Sequence, residues 1–332
     1  MAPSYSGVWN ISTQYQYRTG WPTDLALEPG IALIAGGYDN GAGDRTNKVE
    51  TFVIETTANA TDFGDLSATR YLLAGLGSYT RGVIGGGTEN YSSGVSTMEY
   101  FTFASAGNAT DFGDRTVSFH SLGGGGNATR GMFLGGQTGN TLTTVVDYIT
   151  IASVGNATDF GDIKSGRTIK DMGCAGSTTR LIIAGGRTGS TTFSNAIEYF
   201  TIANTGNSTD FGDLSAARGG CGGVSSSTRF CSLGGYESDE VNTIEYVTIA
   251  STGDATDFGD MSSARVTTQH TVSNKIRGVV AGGTTALDTA SGAVNIIEYI
   301  TIASTGNTTD FGDLSATVLG SGSCSSKHGG LA

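Results

Sequence analysis

Apolar residues in this chain come in short runs, each closed by Gly, Asn, Asp or Ser. Residues 215–261 hold four such runs in succession. Ser215-Ala216-Ala217-Arg218 leads into a Gly/Ser/Cys-rich stretch, and Arg229-Phe230-Cys231-Ser232-Leu233 stops at Gly234-Gly235. Thr243-Ile244-Glu245-Tyr246-Val247-Thr248-Ile249-Ala250 follows, and Thr-Asp-Phe-Gly-Asp at 256–260 is the last. Run lengths and punctuation predict four strands, A to D. Strand C carries bulk on both faces, with Ile244 and Tyr246 against Val247 and Ile249. That pattern predicts a sheet covered on both sides by neighbouring sheets.

The same unit returns along the chain. Thr-Asp-Phe-Gly-Asp begins at Thr61, Thr110, Thr158, Thr209, Thr256 and Thr309, at spacings of 49, 48, 51, 47 and 53 residues. A period near 50 marks an array of small supersecondary units that must stack to bury a core. A Gly pair closes strand B at 36–37, 86–87, 135–136, 185–186, 234–235 and 282–283. An acid-Tyr pair recurs in strand C at Glu99-Tyr100, Asp147-Tyr148, Glu198-Tyr199, Glu245-Tyr246 and Glu298-Tyr299, with Glu50-Thr51 in the first copy.

Gly pair, acid-Tyr, aromatic and then Arg together resemble the kelch repeat. The Phe of Phe-Gly-Asp stands at the usual kelch Trp. Arg70, Arg167, Arg218 and Arg265 stand at the kelch Arg, and Phe119 and Val318 replace it in two copies. The resemblance covers residues 30–330 and implies an all-β, six-bladed β-propeller with four-stranded antiparallel blades. The first recognisable strand, Gly30 onward, is B-like, and the last, from Leu319, is A-like. The ring is therefore expected to close by a C-terminal strand joining the N-terminal blade, which leaves no open sheet edge. Two domains are expected: an aromatic-rich arm at 1–29 and the propeller at 30–332.

Gly is 53 of 332 residues and Pro only 3, a turn-rich composition that fits short strands. Net charge is −12, the wrong sign for tracking phosphates, so no nucleic-acid partner is expected. No apolar run is long enough for a membrane span. Residues 1–29 lack a basic segment followed by an apolar one, so no signal peptide is expected. Cys174, Cys221, Cys231 and Cys324 form no CxxC and read as buried thiols, a Cys221–Cys231 bridge being the one pairing considered.

Candidate chemistry is thin. Six copies of Asp-Phe-Gly, with no phosphate loop, exclude the kinase metal triad. Asn-Ala-Thr-Asp-Phe-Gly-Asp offers too few oxygens for calcium, so its Asn and Asp read as an Asx-type turn between strands C and D. Asn59, Asn108, Asn156, Asn207 and Asn307 match the glycosylation sequon, which we read as a by-product of that turn. His120 and His270 fall in A strands without metal-ligand spacing. No catalytic residue, metal or cofactor is expected.

Recognition is expected in two places. The B–C loops differ most between copies and offer Tyr38, Asn40, Asn90, Tyr91, Asn140, Arg187, Tyr236, Glu237 and Asp288. The arm holds both tryptophans, with Tyr5, Trp9, Tyr15, Tyr17 and Trp21, the residue types that dominate interfaces.

The wording of the copies carries a second resemblance. Ile-Glu-Tyr-Ile-Thr-Ile-Ala-Ser-Thr-Gly-Asn-Thr-Thr-Asp-Phe-Gly-Asp-Leu at 297–314 and Ser-Gly-Val-Trp at 6–9 are similar to repeats in virion and tail-associated proteins of marine and cyanobacterial tailed phages. This implies a non-enzymatic virion structural protein on tail, fibre or capsid. Its arm would bind other virion proteins, and its loops would meet a host-surface glycan or receptor. The alternatives are a soluble carbohydrate-binding or adaptor propeller, and a propeller hydrolase or lyase acting on surface polysaccharide.

Overall fold

A computed structural model describes residues 28–90, 92–164, 171–189, 191–287 and 289–331. The arm residues Tyr5, Trp9, Tyr15, Tyr17 and Trp21 lie outside them, as do Tyr91, Arg167 and Asp288. The fold is all-β and consistent with a β-propeller-like architecture. The described residues form six four-stranded antiparallel sheets, each in the order A-B-C-D. In the second sheet these strands are Ala74–Gly77, Arg81–Gly85, Val95–Thr102 and Thr110–Phe119. The first sheet takes its A strand from the far end of the sequence: Gly322–Ser325 pairs with Ile31–Ala35, Leu33 opposite Cys324.

Both faces of the C strands are buried because every sheet is sandwiched. Six hydrophobic clusters exist, and each is filled from two consecutive sheets. Leu33, Val49 and Phe63 of the first sheet meet Ile84 and Phe101 of the second. Ile34 and Phe52 of the first also meet Val279, Ile297 and Phe311 of the sixth. A Phe of Thr-Asp-Phe-Gly-Asp belongs to each cluster. In five copies it stands edge-on to the strand-C Tyr, as in Tyr246–Phe258 at 6.0 Å and 80°.

Five B strands begin with an Arg that the repeat pattern did not single out. Arg229 lies 4.2 Å from the Tyr246 ring centroid, and its Nη1 donates to the Ile302 carbonyl of the next sheet at 2.8 Å. Arg81, Arg130, Arg180 and Arg277 stack on Tyr100, Tyr148, Tyr199 and Tyr299 in the same way. Each stacked Arg ties strands B and C of its own sheet by a cation–π contact and reaches the next sheet by a charge-assisted hydrogen bond.

The Thr-Asp-Phe-Gly-Asp segments are the D strands themselves. The Asn before each does not close a local Asx turn, as its sequence neighbours suggested. Its side chain accepts instead from the last Asp of the preceding copy: Asn307 Oδ1 from Asp260 N–H at 3.0 Å, and Asn59 Oδ1 from Asp313 N–H at 3.0 Å. Two backbone bonds accompany it, Gly306 N–H to Phe258 O at 2.7 Å and Thr308 N–H to Asp260 O at 2.9 Å. The D strand is thereby covered on its outer edge by the next repeat, which removes the hazard of an unpaired edge.

Three kelch-position Arg residues form buried ion pairs. Arg218 Nη2 lies 2.6 Å from Glu245 Oε2, and Arg70 and Arg265 hold Glu99 and Glu298 alike. Where Phe119 occupies the Arg position, Arg115, four residues upstream in the D strand of the second sheet, meets Asp147 of the third at 3.0 Å. All four cysteines are free, so the Cys221–Cys231 bridge does not form.

Candidate functional site

The six A strands bound a narrow space lined largely by Gly, Ser and Cys. Its two ends differ. At one end residues 326–331 run across the opening. Ser326 N–H donates to Ile31 O at 2.9 Å, His328 Nε2 meets the Gly77 carbonyl at 2.7 Å, and Leu331 is fully buried. A Cβ on Gly329 or Gly330 would collide with the carbonyls of Ser226 and Gly126, so two small residues thread between these sheets.

The other end is open and holds a cavity of about 430 Å³, within the range of small-molecule sites. It is built from the segments that lead into the A strands and from the B–C loops at Tyr38, Gln137, Thr284, Leu287 and Thr289. Six equivalent residues there take a left-handed backbone: Leu72 (φ 58°), Ser121 (56°), Asp171 (54°), Gly220 (73°), Gln269 (60°) and Gly320 (65°). Backbone bonds join most of them in a chain around the opening. Leu72 N–H donates to Gly320 O, Ser121 to Leu72, Asp171 to Ser121, Gly220 to Asp171 and Thr267 to Gly220, over 2.5 to 3.1 Å.

Tyr38 and Tyr71 stand edge to face at 6.4 Å on one wall. Gln137, Thr268, Gln269, His270 and Thr284 supply neutral polar groups. Among the described residues Asp171 is the one carboxylate of the lining, and Arg187 Nη1 lies 3.7 Å from its Oδ2. His270 is 2% exposed, with Nδ1 3.0 Å from the Ala281 carbonyl. Burial pushes its imidazole down to about 4, so it is neutral at physiological pH. His270 Nε2, Thr268 Oγ1 and Gln269 Oε1 are buried and find no hydrogen-bond partner among the described residues. Gln269 Nε2 donates to the Leu122 carbonyl.

Both histidines lie just before an A strand rather than in one. Of the loop residues singled out by variability that the structure describes, only Tyr38 reaches this cavity. Asn40 and Asn140 are exposed at separate turns. Asn90 Oδ1 accepts from Ser92 and Ser93 N–H at 3.1 and 2.9 Å, closing its own loop. Arg187 is no loop tip: it is 3% exposed behind Asp171. Tyr236 is half-buried against Phe193 at 5.5 Å, with Glu237 beside it. The loop set is therefore spread around the molecule and not gathered into one patch.

The residues that do converge were missed: Tyr71, Leu72, Thr268, Gln269 and His270. A signal existed, because the left-handed position reads Leu, Ser, Asp, Gly, Gln and Gly within otherwise repeating segments. Among the described residues no group of three or more His, Cys, Asp and Glu could hold a metal ion. Comparison with protein-family models and with curated proteins returns no match.

Proposed function

We propose that the chain is a closed, six-bladed, kelch-like β-propeller that serves as a non-enzymatic recognition module of a phage virion. Ring closure is supported by the pairing of Gly322–Ser325 with Ile31–Ala35 and by the cluster shared between sixth and first sheets. The recognition reading is carried by one observation: residues 326–331 cover one mouth, and the other is an open cavity built of strained, varied residues. Among the described residues of the lining the one carboxylate is already held by Arg187, which supports binding over glycosidic cleavage, since that needs two. The virion setting rests on the resemblance of the repeat wording and of Ser-Gly-Val-Trp.

In this reading residues 1–29 attach the protein to other virion proteins through Trp9 and Trp21, and the open mouth faces the host surface. The full-length Trp9→Ala/Trp21→Ala variant should melt like the parent protein yet fail to enter particles assembled in infected cells. Normal incorporation of that variant would overturn the attachment role. The alternative, a soluble carbohydrate-binding or adaptor propeller, is favoured by the neutral polar lining of the cavity. It predicts the same ligand behaviour with no particle association in the parent protein.

A further inference from the structure

We propose that the open-mouth cavity binds a neutral polyhydroxylated ligand of one or two sugar rings. This rests on the recognition reading above and names its ligand.

The first argument is conformational. A left-handed backbone costs a non-Gly residue roughly 1–3 kcal/mol, and glycine adopts it freely. The chain uses that solution at Gly220 and Gly320. At the four equivalent positions it keeps Leu72, Ser121, Asp171 and Gln269, all different and all lining the cavity. The fold does not require these side chains, since Gly serves the same turn in two copies. Their placement points to the space they surround.

The second argument is polar capacity without a partner. Thr268 Oγ1, Gln269 Oε1 and His270 Nε2 are buried, and each such orphan costs about 1–3 kcal/mol. All three residues belong to the cavity lining. Together they supply a hydroxyl, an amide oxygen and a ring nitrogen, a mixed donor and acceptor set that suits ligand hydroxyls.

The third argument is charge. Among the described residues the one acid of the lining, Asp171, is matched by Arg187. A charged ligand would enter without a counter-charge and lose its hydration. The apolar part of the lining is the Tyr38–Tyr71 pair with Leu72, Val266, Leu287 and Leu319, which suits the C–H face of a sugar ring.

The test uses the full-length protein with D-glucose, D-galactose, D-mannose, N-acetyl-D-glucosamine and lactose, and with D-glucuronate and D-glucosamine as charged counterparts. Binding is read by saturation-transfer NMR and titration calorimetry. At least one neutral sugar should bind more tightly than either charged one. Thr268→Val keeps the shape and removes the orphan hydroxyl, so it should weaken binding about tenfold with the melting temperature held or raised. Gln269→Gly, the residue found at the equivalent positions 220 and 320, should weaken binding to a similar degree. Thr301→Val, at the exposed end of a C strand, should change nothing. The proposal is overturned if no neutral sugar binds, if the charged sugars bind best, or if affinity ignores both Thr268→Val and Gln269→Gly. A protein that joins particles and adsorbs to host cells yet binds none of these sugars would sink the ligand class and leave the recognition role standing.

Discussion

The covered D-strand edge predicts that two glycines with nearly equal backbones differ sharply in tolerance. Gly259 sits in a D strand at φ 143°, and Gly306 precedes the next one at φ 151°. Both conformations are poor for Ala and cost it roughly 1–3 kcal/mol. Ala also restricts the unfolded chain similarly at both sites, so that contribution cancels between them. Their surroundings differ. A Cβ on Gly259 would stand 2.6 Å from the Gly306 carbonyl carbon and oxygen, whereas one on Gly306 meets nothing within 4 Å. The Gly259 clash is with backbone, so the two repeats must move apart. Separation breaks Gly306 N–H to Phe258 O, Thr308 N–H to Asp260 O and Asp260 N–H to Asn307 Oδ1. At about 0.5–1.5 kcal/mol each, three lost bonds add about 1.5–4.5 kcal/mol to the Gly259→Ala penalty. Urea unfolding of the two variants, compared at equal slope, measures the difference. Equal destabilisation would refute the role of the bonds between neighbouring repeats.

Other substitutions test the remaining joints. Arg218→Met should cost about 3–5 kcal/mol by stranding Glu245, and the double variant Arg218→Met/Glu245→Met should recover most of it in thermal unfolding. Asp254, which accepts from Asp213 N–H at 3.0 Å where five copies use Asn, should tolerate Asn within about 0.5 kcal/mol and lose about 1 kcal/mol as Ala, read by urea midpoint. His270 has its folded value depressed to about 4 from 6.5, so the unfolded chain takes the proton first and stability falls as pH drops through that window. Relative to His270→Phe, the parent protein should lose about 3 kcal/mol between pH 7 and pH 4 in urea titrations, and parallel pH profiles would contradict the burial argument.

Much of the fold was legible because repetition amplifies weak signals. One strand such as Thr243–Thr248 is ambiguous alone, and six copies with bulk on both faces specify sandwiched sheets. What repetition obscured is which copy a residue addresses. Asn307 lies next to Asp310 and Asp313 in sequence, so a local turn looks sufficient, yet its partner is Asp260 of the preceding copy. Identical repeats make a bond within a copy and a bond between copies indistinguishable in sequence. The Arg115–Asp147 pair was hidden for a related reason: Phe119 appears to delete the Arg, and the replacement arrives four residues earlier. The cavity was hidden in the sequence by the larger differences among the B–C loops. The B–C loops vary most in length, and the left-handed positions vary only in side chain.

That contrast separates two kinds of variation in a repeat protein. Asn40, Asn140 and the turn at Asn90 differ between copies but are solvated or self-contained, as neutral drift leaves a loop. Leu72, Ser121, Asp171 and Gln269 differ under a backbone constraint that disfavours every one of them. Drift at such a position should settle on Gly, as it has at 220 and 320. Departure from Gly needs a compensating contact, and what these four share is the cavity they line. Residues 326–331 occupy the opposite mouth, so a ligand can reach the enclosed space from one side only. The architecture is carried by what the copies have in common, Arg on Tyr, Tyr on Phe and Asn on the preceding Asp. In the proposed reading, specificity falls to the ring of positions where the copies disagree at an energetic cost.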